Sequence, residues 1–494
     1  MPTPPTSRRP LVLASVMAAM FMIAIEATIV STAMPQIAGQ LGDLHLYAWV
    51  FSSFLLTQTA TTVVFGKLAD LYGRRPVLLA GIAVFLAGSL LCGAAWSMPS
   101  LIAFRLVQGI GAGAIQPVGL TVVGDLYPMH ERGRIQGYLA SVWGVSSVLG
   151  PLAGGLIVRH LGWPWVFWIN VPVGLAAAAG FLAFLREGVV RVSRRIDVAG
   201  AALFTVAVAS LMVALTEVGA PHGMAGPAAA CVCLAGTVLL VLQERRATDP
   251  MLALGLWARR PIATANAATL LSGMVVIGLT AFLPMYVQGV MGRSALVAGF
   301  AMTAMVLGWP VGATLAARNF TRLGLRPTLL LGAALLPAGA LTFVALGPDS
   351  PPVAAGLGSV VTGFGMGFLS TAAIVIVQGS VGWAERGVAT ASNIFSRNLG
   401  SALGAAVLGS VLNLGLAHGG AAAVGPDQVR RLLDQAGGAG VGAAGGDAAV
   451  RAVLHQALHL TFWAVLLLTA LTLVLATLVP AVAVDRGPSE VAAD

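Results

Sequence analysis

Long apolar runs separated by short polar segments make up most of this chain of 494 residues. A helix needs about 20 consecutive apolar residues to cross a hydrocarbon core about 30 Å thick. Fourteen runs meet that need, which predicts an all-α integral membrane protein with 14 transmembrane helices. The predicted spans are 11–34, 47–65, 77–96, 99–124, 135–158, 165–185, 198–217, 223–242, 262–288, 294–317, 327–346, 352–377, 388–415 and 459–482.

Composition supports the same fold class. Charged side chains make up 9% of the chain and hydrophobic ones 58%, whereas soluble domains carry about 25% charged residues. The net charge of +9 comes from arginines scattered between apolar runs, so we expect no nucleic-acid-binding face. Lys67 is followed by leucine, which excludes a G-x-x-x-x-G-K-S/T phosphate loop. The three cysteines lie in apolar runs, and we expect neither a metal site nor a cofactor.

The positions of the basic residues predict the orientation. With the N-terminus inside, the predicted cytoplasmic segments contain 20 of the 27 basic residues and the outer loops only five. Because cytoplasmic loops carry an excess of Lys and Arg, we expect both termini in the cytoplasm and a multi-pass location in the cell membrane. The longest loop, 416–458, is then extracellular.

Three pairs of short segments have similar sequences and are separated by nearly the same distance along the chain, 251 or 254 residues, which indicates an internal repeat. The pairs are Gly73–Gly81 with Gly324–Gly332, Gly109–Gly113 with Gly363–Gly367, and Glu131–Gly133 with Glu385–Gly387. We therefore predict an N-terminal six-helix half (1–190), two inserted helices with cytoplasmic linkers (191–260) and a C-terminal six-helix half (261–494). Six-helix repeats with a site at their interface are typical of secondary transporters.

Four motifs carry a family resemblance. The first span contains Glu26-Ala27-Thr28-Ile29-Val30, the loop Gly66–Pro76 follows the second span, the fourth contains Arg105-Leu106-Val107-Gln108-Gly109, and the fifth contains Gly144, Gly150, Pro151, Gly154 and Gly155. They resemble the acid-x-x-T-I-V pattern, the signature loop, the R-x-x-Q-G motif and the exporter motif of the major facilitator superfamily. The resemblance is to its fourteen-helix drug:proton antiporter branch, although Glu26 stands where Asp is common.

The resemblance implies a proton-coupled antiporter that exports amphipathic drugs or antibiotics across the cytoplasmic membrane by alternating access. Its partners would be small amphipathic substrates, protons and the lipid bilayer, and we expect a monomer. One alternative is an exporter of a specific endogenous metabolite or self-made antibiotic, and another is a proton-coupled importer. A channel, a sensor or an enzyme is less favoured, because the sequence contains no ring of like charges, soluble output domain or catalytic cluster.

Only three charged residues lie well inside predicted spans: Glu26, Arg105 and Arg397. An intramembrane charge is costly and indicates function. Counting 1.5 Å per residue from opposite faces places Glu26 and Arg105 at similar depth. We predict that Glu26 carries the proton and, when ionised, attracts a cationic substrate; a static ion pair with Arg105 is the alternative. Arg105 would modulate Glu26 or tie helices together, and Arg397 would either extend its head group towards the interface or contact the substrate.

The loop after the second span is a predicted conformational latch. The resemblance implies that Asp70 caps or pairs across the two halves in one state and releases in the other. Asp125, at the inner end of the fourth span, is a plausible partner for Arg74 or Arg75. The full predicted latch is Gly66, Asp70, Gly73, Arg74, Arg75 and Asp125. A solvated turn whose charges only set the topology is the alternative.

The fifth span and the central cavity complete the predicted sites. Pro151 removes a backbone hydrogen bond and kinks a helix, while Gly150 and Gly154 allow close helix approach; tight packing alone would also explain the glycines. Polar and aromatic residues inside spans are cavity candidates, although helix–helix contact is the commoner role of such residues. They are Gln58, Gln108, Gln116, Trp143, Asn393, Phe395 and Arg397.

Overall fold

The computed structural model describes residues 9–42, 46–187, 197–216, 225–247, 254–293, 295–418 and 446–480. Within these ranges the secondary structure is helical, with no strand. The helices are α1 (Arg9–Leu41), α2 (Tyr47–Tyr72), α3 (Arg74–Gly93), α4 (Met98–Leu126), α5 (Met129–His160), α6 (Trp165–Trp168), α7 (Asn170–Phe184), α8 (Val198–Thr216), α9 (Ala225–Glu244), α10 (Leu254–Trp257), α11 (Arg260–Met285), α12 (Ala295–Leu323), α13 (Leu325–Val344), α14 (Pro352–Gly379), α15 (Arg386–His418) and α16 (Gly446–Thr477). A π-helical turn, Tyr286–Val290, extends α11, and a short 3₁₀ turn, Trp383–Glu385, precedes α15.

Twelve helical segments of the described chain are long and apolar enough to cross a membrane, or 13 if the two bent parts of α5 form one span. A helix lies at every predicted span, but α2 is not among these segments. The predicted span 47–65 lies within α2 (Tyr47–Tyr72).

The last helix differs from the predicted span. We expected it to begin at residue 459, whereas α16 begins at Gly446. Apolar side chains continue at helical spacing before the span, and Leu454 and Leu458 are fully buried. The helix therefore extends into the predicted loop 416–458, of which residues 419–445 lie outside the described part of the chain.

The described chain divides into two compact units. Unit 1 contains the described residues up to Ile262 together with Val377–Phe395, and unit 2 contains Ala263–Ile376 and the described residues from Ser396 onward. Unit 1 includes both α8 and α9, and its first part ends at Ile262.

Glycines bring the helices of unit 1 close together around α4. A Cβ atom at Gly109 would overlap the Thr57 hydroxyl and the Phe54 carbonyl of α2, and one at Gly111 would overlap the Phe85 backbone of α3. Only residues without a side chain allow this approach. The close packing on both sides of α4 encloses the polar residues that this helix carries.

In unit 2, α11 and α15 approach each other in a similar way. A Cβ atom at Gly400 would overlap the carbonyl of Leu270, and one at Gly404 would lie 2.5 Å from the Met274 Cα. Small residues at i and i+4 form a smooth helix face that permits such packing. Gly404 follows Gly150 by 254 residues, so the internal repeat relates these two glycines.

Gly73 and Gly324 share an unusual backbone conformation. Gly73 has φ 96° and ψ 158°, and Gly324 has φ 85° and ψ 168°. L-residues avoid positive φ, and glycine adopts it without steric cost. Each glycine ends one helix and begins the next, so the two α-helical hairpins turn in the same way.

Candidate functional site

A buried ion pair lies in the interior of unit 1. The Nη1 atom of Arg105, on α4, is 2.5 Å from Oε1 of Glu26, on α1. Glu26 is 0% exposed and Arg105 is 2% exposed. Arg105 Nε also donates to the Val50 carbonyl at 3.1 Å, and the guanidinium stacks on the Phe54 ring at 4.3 Å. Glu26 and Arg105, which the sequence predicts at a similar depth in the membrane, are therefore in direct contact.

A second polar group, which sequence reasoning missed, contacts the same carboxyl. Asn170 Nδ2 lies 2.5 Å from Glu26 Oε2. Asn170 is the first residue of α7, which follows a break at Ile169. Pro172 explains the break, because proline is tolerated in the first turn of a helix but cannot donate a backbone hydrogen bond in its interior. The sequence feature that could have identified Asn170 is a polar residue two positions before a proline, within an apolar run.

Gln108 links the ion pair to α3. Arg105 Nη1 donates to Gln108 Oε1 at 2.8 Å, and Gln108 Nε2 donates to Ser89 Oγ at 2.8 Å. The Cys92 thiol contacts the same amide oxygen at 3.8 Å. We call Glu26, Arg105, Gln108 and Asn170 the Glu26 site. Its formal charges cancel, and the carboxyl is shielded from water in this conformation.

A second polar cluster surrounds the end of α2. Asp70 Oδ1 accepts the Gly387 N–H and Asp70 Oδ2 the Val388 N–H, each at 2.9 Å. Asp70 therefore caps the first turn of α15, where free N–H groups and the helix dipole favour an anion. A Cβ atom at Gly66 would lie 2.5 Å from the Ala391 Cβ, so this glycine allows α2 to approach α15.

Arg74 is the centre of this cluster and is fully buried. Its guanidinium pairs with Asp70 at 2.9 Å and with Asp125 at 3.0 Å. It also donates to the Trp383 carbonyl at 2.8 Å and stacks on the Trp383 ring at 3.9 Å. Arg386 Nη1 contacts the other Asp125 oxygen at 2.5 Å. The structure thus brings Asp70, Arg74 and Asp125 together, with Arg386 as a further member that the sequence did not single out.

Glu187 is another contact that sequence reasoning missed. Its carboxylate accepts the backbone N–H of Arg74 at 2.9 Å and that of Arg75 at 3.2 Å. It therefore caps α3, while the Arg75 side chain donates to the Leu182 carbonyl at the end of α7. Glu187 follows a predicted span and lies 113 residues from Arg74 along the chain, so local sequence carried no signal. We call Asp70, Arg74, Asp125, Glu187 and Arg386 the Asp70 network.

Burial governs the proton affinity of the acids outside the spans. It raises the pKa of Asp70 to about 7, while Arg74 and the N–H groups of Val388 and Gly387 act in the opposite direction. Burial also raises the pKa of Glu187, against the effect of the Arg75 and Arg74 backbone N–H groups. Desolvation disfavours the ionised form of a carboxyl, and donors favour it. The N–H groups and Arg74 are thus the contacts that favour the ionised forms of these acids.

The match to a known family decides the class of protein. A sequence model described as Major Facilitator Superfamily matches residues 16–405. The chain belongs to the major facilitator superfamily. It is therefore a multi-pass membrane transporter, and the family predicted from the four motifs is confirmed.

Relatives within the superfamily agree with the multidrug branch. The chain is 35% identical over 416 residues to the multidrug transporter protein MdtP of Bacillus subtilis (strain 168), covering 82% of this chain and 76% of that protein. It is 34% identical over 393 residues to multidrug resistance protein 3 of the same bacterium, covering 79% and 77%.

Solved structures of the superfamily share the fold. The human organic anion transporter MFSD10 (TETRAN) superposes with a TM-score of 0.62 at 16% identity, over 94% of this chain and all of that one. The proton:xylose symporter XylE, bound to 6-bromo-6-deoxy-D-glucose, gives 0.65 at 14% identity over 96% of both chains. These two similarities concern the fold alone.

The predicted exporter motif lies where α5 meets α1. The segments of α5 on either side of residues 148–151 differ in direction by 42°. A Cβ atom at Gly150 would overlap the Thr28 hydroxyl, one at Gly154 would lie 3.1 Å from Ile29, and one at Gly155 would meet no atom within 4 Å. Gly144 is buried. The motif glycines therefore differ in their packing, and Gly155 makes no close contact.

The predicted cavity residues have different surroundings. Gln58 and Gln116 are buried, and Gln108 belongs to the Glu26 site. Trp143 is exposed on α5, at 39%. Asn393 is buried and makes polar contacts. Phe395 packs against the rings of Phe204 and Trp257, at centroid distances of 5.5 and 6.0 Å, so its contacts are those of a packing residue.

Arg397, in unit 2, differs from the other two intramembrane charges. It is half-buried on α15, and its side chain makes no ion pair within the described residues of that unit. Its backbone carbonyl accepts a hydrogen bond from Ser401. Contact with the interface and contact with a substrate both stay predictions for Arg397.

Proposed function

We propose that the protein is a proton-coupled antiporter that exports amphipathic drugs or antibiotics across the cytoplasmic membrane. Its 14 spans form two six-helix repeats, within residues 1–190 and 261–494, with two inserted helices between them and both termini in the cytoplasm. The shared backbone conformation of Gly73 and Gly324 supports this repeat. So does the close packing at Gly150 and at Gly404, which the repeat relates.

The fully buried Glu26 carboxyl carries the proposal. Desolvating an ion pair costs several kcal/mol per ion, and apolar side chains of similar size often stabilise a protein better. A carboxyl and a guanidinium inside a transporter are therefore best explained by chemistry that needs them, and reversible protonation is that chemistry for a carboxyl. Arg105 compensates the charge while Glu26 is ionised. Protonation would weaken the pair and favour a different conformation.

The Asp70 network serves as the latch in this mechanism. A cluster of buried ion pairs at helix ends has two discrete states, formed and broken, which is the property that a conformational switch requires. Alternating access would form it in one state and break it in the other. Drugs are proposed as substrates from the names of the two Bacillus relatives, their amphipathic character is proposed from the family resemblance, and an ionised Glu26 would favour cations.

Reconstituted protein tests the proton coupling. Proteoliposomes with a pH-sensitive dye should report proton movement when ethidium, an amphipathic cation, is added to the wild type. Glu26→Gln keeps the shape of the side chain but cannot release a proton, so we expect no substrate-induced signal. Asp349→Asn, at an exposed turn between α13 and α14, is the matched control and should keep it. Unchanged coupling in Glu26→Gln would contradict the proposal.

A substrate panel separates the proposal from its alternatives. Cations, neutral compounds and anions should be tested for resistance and for the direction of proton flux. Transport of a single compound would indicate an exporter of one metabolite or antibiotic. Inward accumulation with the proton gradient would indicate an importer, and resistance that survives collapse of the gradient would exclude proton coupling.

A further inference from the structure

Asn170 contains a buried polar atom without a partner. The side chain is 1% exposed, and its Nδ2 atom donates to Glu26 Oε2. The other end of the amide, Oδ1, is buried and accepts no hydrogen bond from any residue that the structure describes. A buried acceptor without a donor is unfavourable, and such groups are rare in native structures. The unpartnered oxygen therefore calls for an explanation.

The ionisation state of Glu26 explains the orientation of the amide. A carboxylate only accepts hydrogen bonds, so Asn170 must present its NH₂ group to it. The oxygen is then left without a donor. The two ends of an amide have nearly the same shape, so rotating the group exchanges donor and acceptor without changing the packing.

Protonation of Glu26 changes the group that Asn170 must present to it, from a hydrogen-bond donor to an acceptor. Arg105 donates to Oε1, which leaves Oε2 as the position where a proton from water would bind. The new O–H would face the NH₂ group of Asn170, donor against donor. Rotation of the amide brings Oδ1 to the carboxyl, where it accepts the O–H, and the only covalent bond formed is the one between the proton and Oε2.

We propose that Asn170 is a positioning residue that reverses its amide when Glu26 gains or loses a proton. It would hold the carboxyl in place in both protonation states. The proposal rests on the proposed proton-coupling role of Glu26 and adds a second residue to it. Among the described residues around this carboxyl, Arg105 is the charged group that contacts it, and the Cys92 thiol beside Gln108 is the other titratable group.

The fold places Asn170 where this role needs it. α7 packs against α1, and the helix break at Ile169 makes Asn170 the first residue of α7. The backbone is fixed by Pro172 in the first turn. Only the terminal amide rotation is then left to respond to the carboxyl, and such terminal torsions are broad and roughly two-fold.

Infrared difference spectroscopy of the full-length protein in lipid tests the proposal. Lowering the pH should produce a carboxylic C=O band that is absent in Glu26→Gln. Asn170→Leu has a similar volume but cannot accept a hydrogen bond, so the band should move to higher wavenumber. Proton release driven by ethidium should fall about tenfold, the effect of losing one hydrogen bond to a charged group. Asn319→Leu, the same change on α12, should alter neither.

A second measurement keeps the test valid if Asn170→Leu does not fold. In the wild type with ¹³C-labelled asparagine, protonation of Glu26 should shift one side-chain amide band to lower wavenumber, and Asn170→Ser should abolish that shift. An unmoved amide band, or an unmoved carboxyl band in folded Asn170→Leu, would overturn the proposal. If Glu26→Gln removed no carboxyl band from the wild-type difference spectrum, the proposed function would be contradicted instead, so the two failures can be told apart.

Discussion

The guanidinium of Arg105 and the carboxyl of Glu26 form a buried ion pair, with 2.5 Å between Nη1 and Oε1. Neither charge has access to water in this conformation. The two groups are therefore tolerated as a pair, and each alone would be an uncompensated charge in a medium of low dielectric constant. This mutual dependence has a direct consequence for stability.

Removal of one partner should destabilise the protein more than removal of both. Arg105→Leu leaves the Glu26 carboxylate buried and unpaired, which we expect to cost about 3–5 kcal/mol. The double variant Glu26→Leu with Arg105→Leu should recover most of that loss, and neither variant should couple transport to protons. Thermal unfolding in detergent measures the effect. A double variant as unstable as the sum of the two single variants would show that the residues act independently.

Apolar run length was sufficient to predict a helix at each span, although not the start of α16, and residue depth indicated that Glu26 and Arg105 could be partners. It did not identify Asn170 or Glu187. Each contacts a residue more than 100 positions away, and such contacts depend on helix packing that no local pattern encodes. Phe395 illustrates the opposite error, because an aromatic residue on a predicted span looks the same in sequence whether it lines a cavity or packs against other rings.

Asp70→Asn should disrupt the latch. The variant loses its ion pair with Arg74, and its NH₂ group would face the N–H of Gly387 or Val388, donor against donor. The loss of a charged hydrogen-bond acceptor costs about 1.5–3 kcal/mol. If the Asp70 network must form in each cycle, the transport rate should fall about tenfold or more, as measured by ethidium efflux. Asp349→Asn should transport normally, whereas a folded Asp70→Asn with a normal rate would refute the latch.

Glu187→Gln should weaken the cap of α3. A neutral amide offers one acceptor to the two N–H groups of Arg74 and Arg75, and it removes a negative charge from a helix N-terminus. Such caps contribute about 1 kcal/mol, so the thermal midpoint should fall. Glu385→Gln breaks a half-exposed pair with Arg259 and should change stability by less, because surface ion pairs contribute little. Equal shifts in the two variants would argue against a capping role.

The exporter motif offers a comparison between two of its own glycines. Gly150→Ala would place a methyl group against the Thr28 hydroxyl and push α5 away from α1, which should cost about 1–3 kcal/mol. Gly155→Ala meets no atom within 4 Å and should be neutral or slightly stabilising, since alanine favours helix more than glycine does. Thermal midpoints and ethidium efflux of both variants measure the difference. If Gly155→Ala abolished efflux while remaining stable, its role would be contact with a substrate or another conformation, and helix packing in this one would not explain the motif.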